Sequence, residues 1–253
     1  LRAPGGGRVH IHVRRDDSSP GLLATIRTDR LADVGTAVSR IRRAFDLDAD
    51  SPAIDRSLSA HPSLAPLVAA VPGIRIAGSF DPTEALFRTL VGQQISVSAA
   101  RTVLGRLVAD LGNGQFPDAA TIAEHGREVL RGPQARINAI IATAEAVTED
   151  RLTLDIGMPT AELRAHLLAQ RGIGPWTADY LALRARADPD ILPVDDLVIR
   201  QAATSLGLPA GSSALATSGA AWAPWRSYAA LHLWRHGVAL RTPATPHDEA
   251  AAS

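Results

Sequence analysis

Two apolar stripes of helical period, Leu163, Leu167 and Leu168 before and Tyr180, Leu181 and Leu183 after, are separated by little more than Arg171-Gly172-Ile173-Gly174-Pro175. Thr160 opens the first of these helices, and the second begins near Trp176. So short a connection forces the helices into a hairpin. Its two glycines bracket an apolar residue, which permits positive φ and a close approach by another backbone. Two readings of the turn stay open. It presents successive N–H groups at a helix start, where the dipole favours an anion such as a phosphate. It also suits an ordinary αα-hairpin closed by a glycine C-cap.

Further on stands Ile191-Leu-Pro-Val-Asp195-Asp196-Leu-Val-Ile-Arg200, a proline and two acids leading into an apolar run. This reads as a helix start, with the acids either capping backbone N–H groups or offering a carboxylate for chemistry. The N-terminal region differs in period. Arg8 to Arg14 alternates, with Val9, Ile11 and Val13 on one face, and Gly21 to Thr28 follows an Asp-Asp-Ser-Ser-Pro turn, so both read as strands. Ala37 to Phe45 reads as a helix with Val38, Ile41 and Phe45 on its apolar face.

From about residue 56 no strand is expected. Thr83 is the expected cap of a helix carrying Leu86, Phe87, Leu90 and Val91, which Gly92-Gln93-Gln94-Ile95 interrupts. Ser96 caps the next helix, running to about Leu111; others cover roughly Arg136 to Val147 and Pro224 to His236. The tail from Arg241 is expected to be loose. The fold class is therefore mostly α with a small N-terminal α+β region.

Composition excludes several chemistries. The 253 residues contain no cysteine, which removes disulfides, thiolate nucleophiles, iron–sulfur clusters and cysteine zinc sites. No lysine occurs either: all 26 basic residues are arginine, so no lysine Schiff base can be written on this chain. A net charge of zero means that any nucleic-acid surface must come from local arrangement. No run approaches the roughly 20 apolar residues of a membrane span, and a cytoplasmic location fits. The first residue, Leu1, is not Met, which reads as a trimmed or fused start.

Taken with Phe87-Arg-Thr-Leu-Val-Gly-Gln-Gln-Ile-Ser96 and Pro224-Trp-Arg-Ser-Tyr-Ala229 followed by Trp234, the hairpin and the Asp-Asp pair resemble the helix-hairpin-helix (HhH-GPD) base-excision DNA glycosylases, specifically the 3-methyladenine DNA glycosylase II family. The resemblance runs from about Arg8 to Trp234. It implies two helical domains flanking a cleft, preceded by a TBP-like α+β domain that is short here. The implied boundaries are 1–57 for the α+β domain, 58–81 plus 189–253 for the domain with the aspartate, and 82–188 for the domain with the hairpin.

The resemblance also implies roles. Asp196 is the catalytic carboxylate, with Asp195 its polar or capping neighbour beside the base pocket. Trp176, Tyr180 and Trp234 match base-pocket positions, although any one aromatic can instead simply fill a core. Relatives that cut the DNA strand carry a lysine where this chain has Trp176, so the enzyme is expected to use water and leave an abasic site. Leu197 stands where some relatives have a tyrosine, which bears on base preference.

Gln93 and Gln94 fall on the loop that fills the hole left by a flipped base; read alone, they equally suit exposed loop amides. Gly172, Ile173, Gly174 and Thr177 are the implied DNA-binding residues of the hairpin. No cofactor and no side-chain metal site is expected, while the hairpin carbonyls near Gly172 match a monovalent cation site. The expected partner is duplex DNA containing alkylated bases, with the protein a monomer or part of a fusion with an alkyl-transfer regulatory protein. Alternatives are a non-catalytic hairpin protein and a glycosylase for deaminated or oxidised bases.

Overall fold

The computed structural model describes residues 9–19, 21–155 and 157–241. Arg8, Pro20 and the tail beyond Arg241, on all of which expectations fell, lie outside the described residues. Strands β1 (Val9–Asp16) and β2 (Gly21–Thr28) come first, followed by α1 (Ala32–Ala44), α2 (Ser51–Ser59), α3 (Ala65–Ala70), α4 (Pro82–Gly92), α5 (Val97–Arg106) and α6 (Ala119–Val129). Then come α7 (Gln134–Thr148), α8 (Thr160–Leu168), α9 (Pro175–Arg186), α10 (Leu197–Ser205), α11 (Ser212–Gly219) and α12 (Arg226–Arg241). The chain divides into two compact units, Leu1–Asp48 with Ala77–Ala187, and Ala49–Ile76 with Asp188–Ser253.

In the first unit the strands pair antiparallel, Ile11 opposite Ile26 and Val9 opposite Thr28. Alternation turns Val9, Ile11 and Ile26 to one face, where they cluster with Ala37 of α1. That contact corrects the expected face of α1. The helix starts at Ala32, its buried line is Ala37, Ile41 and Ala44, and Val38 is 42% exposed. The strands accept the small Ala37 at closest approach, and Val38, the next residue round the helix, is turned away by about 100°.

The helical core of this unit gathers Leu86, Phe87 and Leu90 of α4, Ile140 and Ile141 of α7, Leu163 and Leu167 of α8, and Leu181 of α9. Leu168, expected on the same stripe, is 42% exposed because Leu163 and Leu167 already occupy the inward i, i+4 line of a helix that ends there. The cap of α4 is Asp81 rather than Thr83. Its Oδ1 accepts from Thr83 N (2.8 Å) and Glu84 N (3.0 Å), while Pro82 occupies the first helical position, where its missing N–H costs nothing. Ser96 caps α5 as expected, accepting from Ala99 N at 3.2 Å, and the stretch continues through a π-helical turn at Leu107–Leu111. Helix α6, not anticipated, has a legible start: Asp118 accepts from Thr121 N at 3.0 Å.

In the second unit Ile54, Leu58, Leu64, Val68, Ile199, Ala203, Tyr228 and Leu233 are buried. Helix α12 packs on α10 and α3. It begins at Arg226, later than expected, and runs on to Arg241. Gly237 sets its approach to α10: a Cβ there would stand 2.6 Å from Val198 Cγ1 and 2.7 Å from the Val198 carbonyl oxygen. His232 is 1% exposed, and neither ring nitrogen has a hydrogen-bond partner among the described residues. Burial pushes its pKa below the ordinary 6.5, a shift that the charge of Asp55 opposes and that of Arg235 reinforces.

Gly237→Ala should lower stability in urea denaturation by up to about 2 kcal/mol, because overpacking against a backbone oxygen costs about 1–3 kcal/mol, offset by the roughly 1 kcal/mol helix-propensity gain. His232 takes up a proton more readily unfolded than folded. Stability should therefore be fully present above pH 6.5 and decline as pH falls below it toward the lowered folded value. His232→Leu should flatten that decline between pH 7 and 5, measured by urea midpoints.

Candidate functional site

The hairpin turn is built around a buried residue. Helix α8 closes at Leu168, Gln170 N donates to Leu167 O (3.0 Å), and Ile173 N donates to Gln170 O (3.2 Å). Ile173 is buried in the helical core of the first unit. Gly172 has φ +90, and a Cβ there would come within 2.6 Å of the Ala139 Cβ on α7, so both its conformation and its neighbour require glycine. Gly174 is the N-cap of α9 with extended backbone and no side chain, Pro175 takes the first helical position, and the space around Gly174 is open. No side chain caps the first turn of α9, whose amides lie at the positive end of the helix dipole. Among the described residues no group of His, Cys, Asp and Glu could hold a metal.

Helix α9 carries the one tryptophan and the one tyrosine of this unit. Trp176 and Tyr180, one turn apart, stack with centroids 5.2 Å apart and planes at 19°. The Arg184 guanidinium lies over the Tyr180 ring at 5.4 Å, and its Nη1 donates to Ala77 O at 2.9 Å. Arg164 of α8 pairs with Asp179 of α9 (2.5 Å), tying the two arms of the hairpin together. Thr177 is buried, so its side chain faces inward and its backbone belongs to the helix start. Its Oγ1 accepts from Gln93 Nε2 at 2.8 Å. Gln94, next along the loop, is exposed and has φ +57.

In the second unit the acidic pair splits into different environments. Asp196 is 8% exposed and caps α10: its Oδ1 accepts from Val198 N (2.8 Å) and Ile199 N (3.0 Å). Asp195 is exposed and accepts from Ser212 Oγ at 2.7 Å. The expected capping role of Asp195 therefore falls to Asp196, whose side chain lies at the helix start. Leu197 is 61% exposed, and Trp234 is half-buried on α12.

Three residues that sequence reasoning did not single out hold the approach to Asp196. Arg226 makes a bidentate pair with Asp190, Nε to Oδ1 at 2.6 Å and Nη2 to Oδ2 at 2.7 Å. The guanidinium holds the Asp190 carboxyl below the ordinary carboxylate range. Fully buried Ser227 donates from Oγ to Asp188 O (2.6 Å) and accepts from Ile191 N (2.9 Å), while its own N–H donates to Pro189 O (2.9 Å). The start of α12 thereby fixes the segment that leads into Pro193-Val194-Asp195-Asp196. The signal was present in the Pro224–Ala229 motif, whose polar members have no evident partner until the chain folds.

A model of the AlkA N-terminal domain matches residues 2–81, and the model of the HhH-GPD superfamily base excision DNA repair proteins matches residues 87–227. The chain belongs to the HhH-GPD superfamily. Among curated proteins it is similar to the probable bifunctional transcriptional activator/DNA repair enzyme AlkA of Mycobacterium tuberculosis, 42% identical over 244 residues, covering 92% of this chain and 49% of that protein. It thus spans about half the length of that relative. It is also similar to DNA-3-methyladenine glycosylase 2 of Escherichia coli, 31% identical, covering 78% of this chain and 70% of that protein. Among solved structures, 3-methyladenine DNA glycosylase of Schizosaccharomyces pombe in complex with abasic DNA superposes with a TM-score of 0.66 at 26% identity, covering 72% of this chain and 95% of that one.

Ser227→Ala leaves the Ile191 N–H without its acceptor in a buried place. It should lower stability by about 1–3 kcal/mol in urea denaturation.

Proposed function

We propose that this chain is a monofunctional DNA glycosylase that flips alkylated bases of the 3-methyladenine and 7-methylguanine type out of duplex DNA and hydrolyses the N-glycosidic bond. The observation that carries this reading is Asp196: a buried carboxylate whose Oδ1 is fixed by two amides at the start of α10. A carboxylate held so cannot rotate away as positive charge develops on the sugar, and in a water-poor place its attraction for an oxocarbenium ion exceeds that in bulk water. The same group orients the attacking water, which supplies the hydroxyl at the anomeric carbon as the base leaves.

The aromatic stack of Trp176 and Tyr180, and Trp234, offer π faces to an electron-poor base. Asp195 is the polar neighbour of the catalytic acid. The hairpin from Gly172 to Gly174, with the backbone of Thr177, grips a phosphate through amides at the start of α9, and Gln94 fills the hole left by the flipped base. When bound, a monovalent cation at the carbonyls near Gly172 adds positive charge against that phosphate. Trp176 stands where a strand-cutting relative has lysine, and the chain contains no lysine, so water is the nucleophile and an abasic site the product. The description of the mycobacterial relative as bifunctional supports a fused regulatory module as a further proposal.

The test is base release from duplexes carrying 3-methyladenine, 7-methylguanine or hypoxanthine. Asp196→Asn keeps an oxygen able to cap α10, so it should fold while losing about 10²–10³-fold in single-turnover rate. No release by the natural sequence would favour a non-catalytic hairpin protein, and release of hypoxanthine alone a deaminated-base enzyme. An active Asp196→Asn variant beside a dead Asp195→Asn variant would move the catalytic role to Asp195. Strand cleavage without added base or heat would overturn the water-based route.

A further inference from the structure

Gln93 and Gln94 sit side by side on the loop between α4 and α5, yet their surroundings differ. The Gln93 side-chain amide donates to buried Thr177 Oγ1 (2.8 Å), one residue beyond Trp176 in the first turn of α9. Its backbone carbonyl accepts from Arg136 Nη1 on α7 at 3.1 Å, and Nη2 of the same guanidinium donates to Arg131 O at 3.2 Å. Gln93 is therefore held at both ends, by α9 through its side chain and by α7 through its backbone. Arg136 thus ties the loop to α7 and to the segment before it. Immediately after this anchor the backbone turns into the left-handed region at Gln94, a conformation that a residue with a side chain adopts only where its neighbours enforce it.

Resting on the glycosylase reading, we propose that Gln93 is a positioning residue, not a DNA contact: its bond to Thr177 locks the loop to the first turn of the hairpin helix, so that Gln94 alone is presented to the DNA. The phosphate-gripping end of α9 and the hole-filling loop then move as one body. Registration of the hairpin on the backbone sets where Gln94 enters the duplex. The consequence is a division of labour: breaking the Gln93–Thr177 bond weakens retention of the flipped base more than attachment to the duplex.

Thr177→Val removes the acceptor at constant shape, and Thr177→Ser keeps it. Amide hydrogen exchange of the free protein should quicken about fivefold to tenfold at residues 93–96 in the valine variant and return toward the natural rate in the serine variant. On a duplex with 2-aminopurine beside 7-methylguanine, the valine variant should show a fluorescence rise several-fold smaller and a comparably lower single-turnover rate, with a smaller loss of affinity for undamaged duplex. Gln93→Ala should match it, and the double variant should be no worse than either alone. Unchanged loop exchange, additive losses, or equal loss of duplex binding would each overturn the proposal. A natural protein that neither brightens the probe nor releases base overturns the glycosylase reading itself, whereas one that does both while the valine variant does so equally overturns only the positioning role.

Discussion

Ile173 is the point on which the first unit turns. Buried in the helical core between two glycines, it fixes where α8 must stop and where α9 can start. Gly172 makes that possible by taking φ +90 against Ala139, and Gly174 starts α9 without a capping side chain. The features of this unit that bear on function follow from where α9 begins: the direction of its dipole, the stack of Trp176 on Tyr180, and the reach of Thr177 to Gln93. A turn held only by solvent-exposed contacts could not set these places within hydrogen-bond tolerance.

The second unit solves a related problem with polar groups. Asp196 has to sit at low exposure without losing its hydrogen bonds, and the start of α10 supplies them. Capping and catalysis are often offered as rival explanations of an aspartate before an apolar run. Here the geometry makes the cap the means by which a carboxylate is kept buried and oriented. Ser227 and the Arg226–Asp190 pair extend the same logic upstream, since the segment ahead of Asp196 is tethered to α12 by bonds that one serine and one arginine provide.

The elements that were legible in the sequence had local causes. Alternation at Val9, Ile11 and Val13 specified β1, the Ser96 cap specified the start of α5, and Gly-Ile-Gly-Pro specified the hairpin. Misreadings came where a neighbour decided. Val38 lost its inward place because the strands meet Ala37, and Leu168 because the core was already filled by Leu163 and Leu167. Thr83 yielded the cap to Asp81 once Pro82 took the first helical position. Helix α6 escaped notice because its buried face includes the small residues Ala119 and Gly126 beside Ile122 and Val129, although Asp118 marked its start.

By itself, the sequence determined which residues could do chemistry: an aspartate pair before an apolar helix, aromatics at helical spacing after the hairpin, and no lysine anywhere. Residue type and spacing suffice for that, because caps, turns and helix faces obey short-range rules. Only the tertiary structure decided what each member of an adjacent pair is placed against. Asp196 rather than Asp195 is buried at the helix start, and Gln93 rather than Gln94 is tied to Thr177. Neighbours in sequence share composition and local propensity, and they differ only in what the folded chain places against them.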